Sequence, residues 1–206
     1  MIDDAPPEAA GAAGTWLVPL PARVEAVTHA RGSLLVASRE QLRAGGFFET
    51  YAAALAPAQR EALGEVIAAS WIPIALAHAH FEAIDSIGVD PASVERNTSA
   101  VAGKLNGVFL ATAVRVAGVT PWSGARILPA AWKRVFRGGA IGLQRLGPKE
   151  GIVVASGNPL MKHRYHRSGF RVHVQRGLEL FSRRSFVREL SYKPDRYELS
   201  LRLQWV

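Results

Sequence analysis

Two stretches of the chain carry residues whose types and spacing could do chemistry. The first is His78-Ala79-His80-Phe81-Glu82, where His80-Phe81-Glu82 imitates the H-x-E string of zinc deaminases. That chemistry completes its site with paired cysteines, and the chain has no cysteine. On a helix, residues two apart point about 200° apart, so His78 and His80 cannot share one metal ion. They flank a stripe of Ile74 and Phe81 from opposite sides and are expected to be ordinary histidines at a core boundary, with no metal site.

The second stretch, Lys162-His163-Arg164-Tyr165-His166-Arg167-Ser168-Gly169-Phe170-Arg171, is the densest cationic run. In one continuous helix Arg164, Arg167 and Arg171 would share a face that overlaps the apolar stripe of Val174 and Leu178. The helix is therefore expected to start late, near Ser168, with Lys162, Arg164, Arg167 and Arg171 gathered about its N-terminus. Cations there oppose the helix dipole, whereas an anion is favoured by both the free N–H groups and the guanidinium forks. These four residues form the candidate site for an anion or acidic ligand. The competing readings are a solvated basic face or pairing with the acidic first half of the chain.

Charge is divided by position. Residues 1–100 carry 6 Lys+Arg against 12 Asp+Glu, and residues 101–206 carry 19 against 5. The asymmetry points to an acidic partner, to anionic ligands, or to one half docking on the other. Nucleic acid is one such partner: Arg183, Arg184, Arg188, Lys193, Arg196 and Arg202 extend the basic character to the C-terminus. No helix-turn-helix, zinc finger or RNP-type aromatic motif accompanies them. There is no G-x-S-x-G elbow, Walker A loop or G-x-G-x-x-G turn. No residue stands out as nucleophile or base, and no cofactor is implied by composition or motif, so an enzyme of unidentified type remains only an alternative.

With 206 residues, 49% of them hydrophobic, the chain can bury a sizeable core without staples. The absence of cysteine removes disulfides and thiolate metal sites and fits a reducing compartment. Asp3, Asp4 and Glu8 stand where a signal peptide would be positive, and the longest uncharged run, Val66 to Phe81, is too short to span a membrane. The expectation is a soluble, cytoplasmic protein.

The elements that must position these residues follow from periodicity. Residues 1–30 read as a flexible or extended segment and 31–206 as one α+β domain. Ser33–Ala37 reads as a short strand. Leu63, Val66 and Ile67 suggest a helix ending near Trp71, followed by a second through Ile74, Ala77, Phe81 and Ile84. Asp90-Pro91 caps a helix carrying Val94 to Val116, and Pro129 opens another that Gly138-Gly139 closes. Ile141–Leu146 and Ile152–Ala155 form a hairpin, a helix carries Phe170 to Phe181, and two strands close the chain around Pro194-Asp195. In the last, Leu199, Leu201, Leu203 and Trp205 alternate with polar residues, a strand with one buried face. The architecture expected is an N-terminal helical layer packed on an antiparallel sheet formed by β-hairpin, helix and β-hairpin. Ile72 and Leu76 depart from the main apolar stripe, and this surplus, with the uncharged run Leu105–Val114, predicts a homodimer through the first-half helices.

The strings "ASWIPIALAHAHFEAI", "GVTPWSGARILPAAWKRVFRGGAIGLQRLGPKEGIVVASGNPL" and "YELSLRLQWV" resemble those of a paralogous myxobacterial family of about 200-residue proteins of unknown function. That family is similar to the fold shared by 4-vinyl-reductase domains, heme-NO-binding domains and TRAPP-type trafficking subunits. The resemblance implies helices against an antiparallel sheet and an apolar cavity able to hold a small or lipid-like molecule. It implies no activity. The 4-vinyl-reductase type carries C-terminal cysteines, absent here, and heme-binding relatives carry a Y-x-S-x-R clamp for the propionates. The nearest string, Tyr165 to Arg171, misses that spacing by one residue at each step. The function expected is a non-catalytic sensor or adaptor that binds a small, apolar or acidic molecule and relays to a protein partner. The alternative is a nucleic-acid or acidic-protein binder using the basic half.

Overall fold

Alternation decides the larger sheet. The computed structural model describes residues 14–90, 93 and 120–206. Strand β8 (Glu198–Trp205) turns Leu199, Leu201, Leu203 and Trp205 inward. It lies between β6 (Glu150–Ser156) and β7 (Ser185–Lys193). β6 pairs on its other side with β5 (Ala140–Gly147), and β5 with β1 (Thr15–Val18), giving an antiparallel order β1-β5-β6-β8-β7. A smaller antiparallel sheet has the order β3-β2-β4, from β2 (His29–Arg31), β3 (Trp71–Pro73) and β4 (Phe136–Arg137).

Helices fill the space against the inner faces. They are α1 (Gly32–Ala44), α2 (Phe48–Ala54), α3 (Pro57–Gly64), α4 (Ile74–Ser86), α5 (Pro121–Gly124), α6 (Leu128–Val135) and α7 (Arg164–Glu179). One hydrophobic cluster joins Leu35 and Leu42 of α1, Phe81 and Ile84 of α4, Leu178 of α7, Leu143, Val153 and Ala155 of the sheet, and the inward leucines of β8. Burying one such leucine side chain contributes roughly 1.5–3 kcal/mol. This is the expected α+β architecture of helices on an antiparallel sheet.

Several local expectations change. Ser33–Ala37 is the first part of α1 instead of a strand. Leu35 and Leu42, seven residues apart, both bury on one helical face, and the apolar run is too short for periodicity to separate the two forms. Residues between Leu63 and Trp71 do not continue a helix: α3 ends at Gly64, Ile67 is 66% exposed, and Trp71–Pro73 forms β3. Ile72 is buried on that strand and Leu76 packs against the core, so neither is surplus surface seeking a second copy. Asp90 does act as a cap, accepting a 2.9 Å hydrogen bond from the Ser93 N–H. The rest of the helix expected over Val94–Val116, the run Leu105–Val114 and the N-terminal residues 1–13 lie outside the described residues. No helix among the described residues is long and apolar enough to cross a membrane.

Two glycines turn the chain from the small sheet into the large one. Gly138 and Gly139 have φ of 89° and 64°, in the left-handed region. A Cβ on Gly138 would lie 2.3 Å from the carbonyl oxygen of Ala26.

Candidate functional site: a layer of buried histidines

Helix α4 is built from good helix formers, Ile-Ala-Leu-Ala-His-Ala, and runs straight on from β3. Its small residues Ala77, Ala79 and Ala83 are buried, which lets neighbouring elements approach closely. On this helix the two histidines diverge as their spacing requires. His80 turns toward α2, where the Tyr51 hydroxyl lies 2.7 Å from its Nδ1. His78 turns toward the start of α7, where its Nδ1 lies 2.9 Å from Nε2 of His163. His80 is therefore not a boundary residue: its exposure is 0%.

The start of α7 explains how a helix can open on Arg-Tyr-His-Arg. His163, in extended conformation, occupies the N-cap position but offers no capping side chain. Asp85, at the end of α4, supplies the cap instead. Its two oxygens accept from the N–H groups of Arg164 (2.8 Å) and Tyr165 (2.9 Å). An acceptor carrying negative charge is what the free N–H groups and the dipole favour. The helix therefore starts at Arg164 and not near Ser168. Burial alone would raise the Asp85 carboxyl, but the His163 ring and the two N–H groups outweigh it and hold the pKa below the usual value. His163 Nδ1 is 3.6 Å from the carboxylate, beyond hydrogen-bonding distance.

Further along α7, His166 packs on Phe81 with ring centres 4.8 Å apart and meets Phe136 of β4 edge-on at 6.3 Å. Phe81 also contacts His80, at 4.9 Å. The result is a layer of imidazoles around one phenyl ring, closed by Tyr165, whose hydroxyl donates to Gln41 of α1. Burial pushes His80 and His166 down to about 3 and, with help from nearby Lys162 and His163, His78 down to about 4. All three are neutral at pH 7. Nε2 of His80 and Nε2 of His166 are buried and have no hydrogen-bond partner among the described residues. Among the described residues no three His, Cys, Asp or Glu side chains are placed to hold a metal ion.

The four candidate anion ligands have different fates. Lys162 and Arg164 are exposed at the edge of this layer. Arg167 turns back, its Nη1 donating to the carbonyls of Met161 (2.8 Å) and Lys162 (3.1 Å). It also pairs with Glu189 at 3.4 Å and lies over the ring of Tyr192. Arg171 donates to the Val187 carbonyl of β7. The parts played by Tyr51, Asp85, His163, Tyr165 and His166 in building the layer are not evident from sequence. One signal is available there: His78 and Asp85 stand seven apart, on one face of a helix.

No protein-family model matches the chain, and no curated protein matches it. Solved structures do. A Cs H-NOX mutant carrying 4-cyano-L-phenylalanine superposes with a TM-score of 0.58 at 10% identity, covering 85% of this chain and 96% of that one. A mutant of the T. tengcongensis H-NOX gives 0.57 at 10% identity, covering 85% and 97%. A structure concerned with heme redox potential and protein-induced porphyrin distortion gives 0.55 at 10% identity, covering 85% and 99%. The fold is that of the H-NOX domains. At such identity the likeness is one of fold alone.

Heme belongs to neighbours sharing the H-NOX fold, so its fit can be tested on the residues here. An axial ligand would come from His, Cys, Tyr or Met. Residues 94–119 contain none of the four. Of the six histidines, His29 bonds Thr28, His78 and His163 bond each other, and His173 bonds the Gly169 carbonyl. His80 and His166 each keep a buried ring nitrogen without a partner, but those nitrogens are sealed by the rings packed around them. No propionate clamp is formed either, since Tyr165 is buried against Gln41 and Arg167 and Arg171 hold backbone carbonyls. Among the described residues, neither the histidines nor the nearest clamp residues fit heme.

Proposed function

We propose that this chain is a non-catalytic sensor or adaptor of the H-NOX fold that binds a small molecule other than heme and passes its state to a protein partner. The supporting observation is the pair of sealed, neutral imidazoles on facing helices. A buried polar atom without a partner costs about 1–3 kcal/mol, and a largely apolar molecule with one or two hydrogen-bonding groups would recover that cost at His80 and His166. Entry requires α4 and α7 to part, because the layer is closed. Parting them strains the Asp85 cap and displaces β3, which is continuous with α4. A ligand that stabilises the parted state shifts the population toward it. Lys162 and Arg164 supply the positive charge that an acidic group on the ligand would meet.

Native mass spectrometry of protein purified from its own host tests the idea. A bound small molecule, lost in a folded His166→Ala variant, is the expected result. A bare chain mass, with melting temperature unmoved by extracts of the host, would sink it. A stoichiometric hemin complex with a Soret band that His80→Ala or His166→Ala abolishes would overturn the exclusion of heme.

A further inference from the structure

The outer face of the small sheet carries positive charge that no carboxylate of the described residues neutralises. Strand alternation sends Ala30, Ile72 and Phe136 inward, all buried, and leaves His29, Arg31, Trp71, Pro73 and Arg137 on the other side. There the guanidinium carbons of Arg31 and Arg137 lie 4.1 and 4.6 Å from the centre of the Trp71 indole. Arg31 is held in place by donating to the carbonyls of Arg134 (3.3 Å) and Ala69 (2.8 Å). The Arg137 side chain is exposed. No carboxylate of the described residues pairs with either arginine. A tryptophan flanked by arginines is the composition that concentrates binding energy at protein interfaces. The exposed Ile67, in the segment leading into β3, adds apolar surface nearby.

One inward neighbour of these residues reaches the histidine layer. Phe136, next to Arg137, touches the His166 ring, and Trp71 begins the strand that becomes α4. We propose that this face is the output surface of the module and that it takes an extended acidic segment of a partner protein. Carboxylates of that segment would engage the two guanidinium groups beside the indole, supplying the charge the surface lacks. Extended protein fits better than nucleic acid here. The strands are two or three residues long, and both guanidinium groups already stack on the one aromatic ring a base would need.

The word output rests on the sensor reading; the binding surface does not. A fluorescent polyglutamate peptide of about fifteen residues is the probe, followed by anisotropy at low salt with no ligand added, and an oligothymidylate of equal charge is the comparator. Arg137→Glu should lower the melting temperature only slightly, since its exposed side chain stacks on Trp71 and makes no hydrogen bond to a described residue, and should weaken peptide binding by roughly tenfold or more, the scale of a lost charged contact. Arg188→Glu, exposed on β7 of the other sheet, should change it by about twofold or less. Equal weakening by both variants would mean diffuse attraction to a basic protein and would overturn the proposal. So would absent peptide binding, or tighter binding of oligothymidylate through Arg137. A chain that carries a small molecule yet ignores the peptide would leave the sensor reading standing and remove this one.

Discussion

The inner face of the five-stranded sheet and the α4–α7 contact both bury side chains and are chemically opposite. The sheet face is an apolar set of leucines, valines and a tryptophan, alternating most clearly along β8. The helix contact holds four imidazoles, two phenols and a carboxylate, and two of its buried ring nitrogens have no partner among the described residues. The first arrangement gains stability from every residue placed there. The second gives some of it back, which a protein tolerates where the groups have a use beyond holding the fold.

Acid separates the two regions most strongly. His80 and His166 have folded-state pKa values of about 3, below their ordinary value, so the unfolded chain binds more protons than the folded one once the pH falls below about 6.5. Stability therefore falls as pH drops from there toward 3. At about pH 5 the loss is about 2 kcal/mol for each of the two, a sum comparable to much of a small domain's stability. Urea titrations at about pH 7.5 and about pH 5 should show it, and a midpoint independent of pH would contradict the neutral, sealed state. A cavity in the sheet should behave differently. Leu201→Ala should cost about 3 kcal/mol at both pH values, checked by the same titrations. If its cost changed with pH, the two regions would not be separable.

Smaller changes sharpen the picture within the histidine layer. Tyr51→Phe removes the partner of His80 Nδ1 and should cost about 2 kcal/mol, whereas an exposed Tyr197→Phe should cost nothing measurable in thermal melts. Asp85→Ala removes the cap of α7 and should cost about 1 kcal/mol, while Asp85→Asn, still a capping side chain, should recover much of it. Amide exchange at Arg164 and Tyr165 would report the same loss locally.

How much is legible in the sequence follows the same division. The terminal strand, the 141–155 hairpin and the helix opened by Pro129 stand out because alternation and turn residues are local signals. Ser33–Ala37 misleads because a short apolar run suits a strand and a helix alike. The true start of α7 is hidden because its cap comes from Asp85, 79 residues away along the chain, and no local pattern reports a distant carboxylate. At that helix start the free N–H groups are taken by Asp85, a carboxylate from the acidic first half of the chain itself. His163 and His166 lie within a basic run in the sequence, yet both are buried, and their partners lie on α4 and β4.

The contact between α7 and β7 bears on how the protein behaves in a crowded solution. β7 ends the sheet, and an end strand with spare carbonyls and a half-exposed Phe186 is a template on which another molecule can add its own strand. Gln175 and Arg171 donate to the carbonyls of Ser185 and Val187. Those acceptors are thereby withdrawn from any incoming backbone. Arg171, at the end of the basic run, and Gln175 thus occupy two acceptors on which another strand would build, a task that needs long donors on a helix beside the edge and no ligand at all.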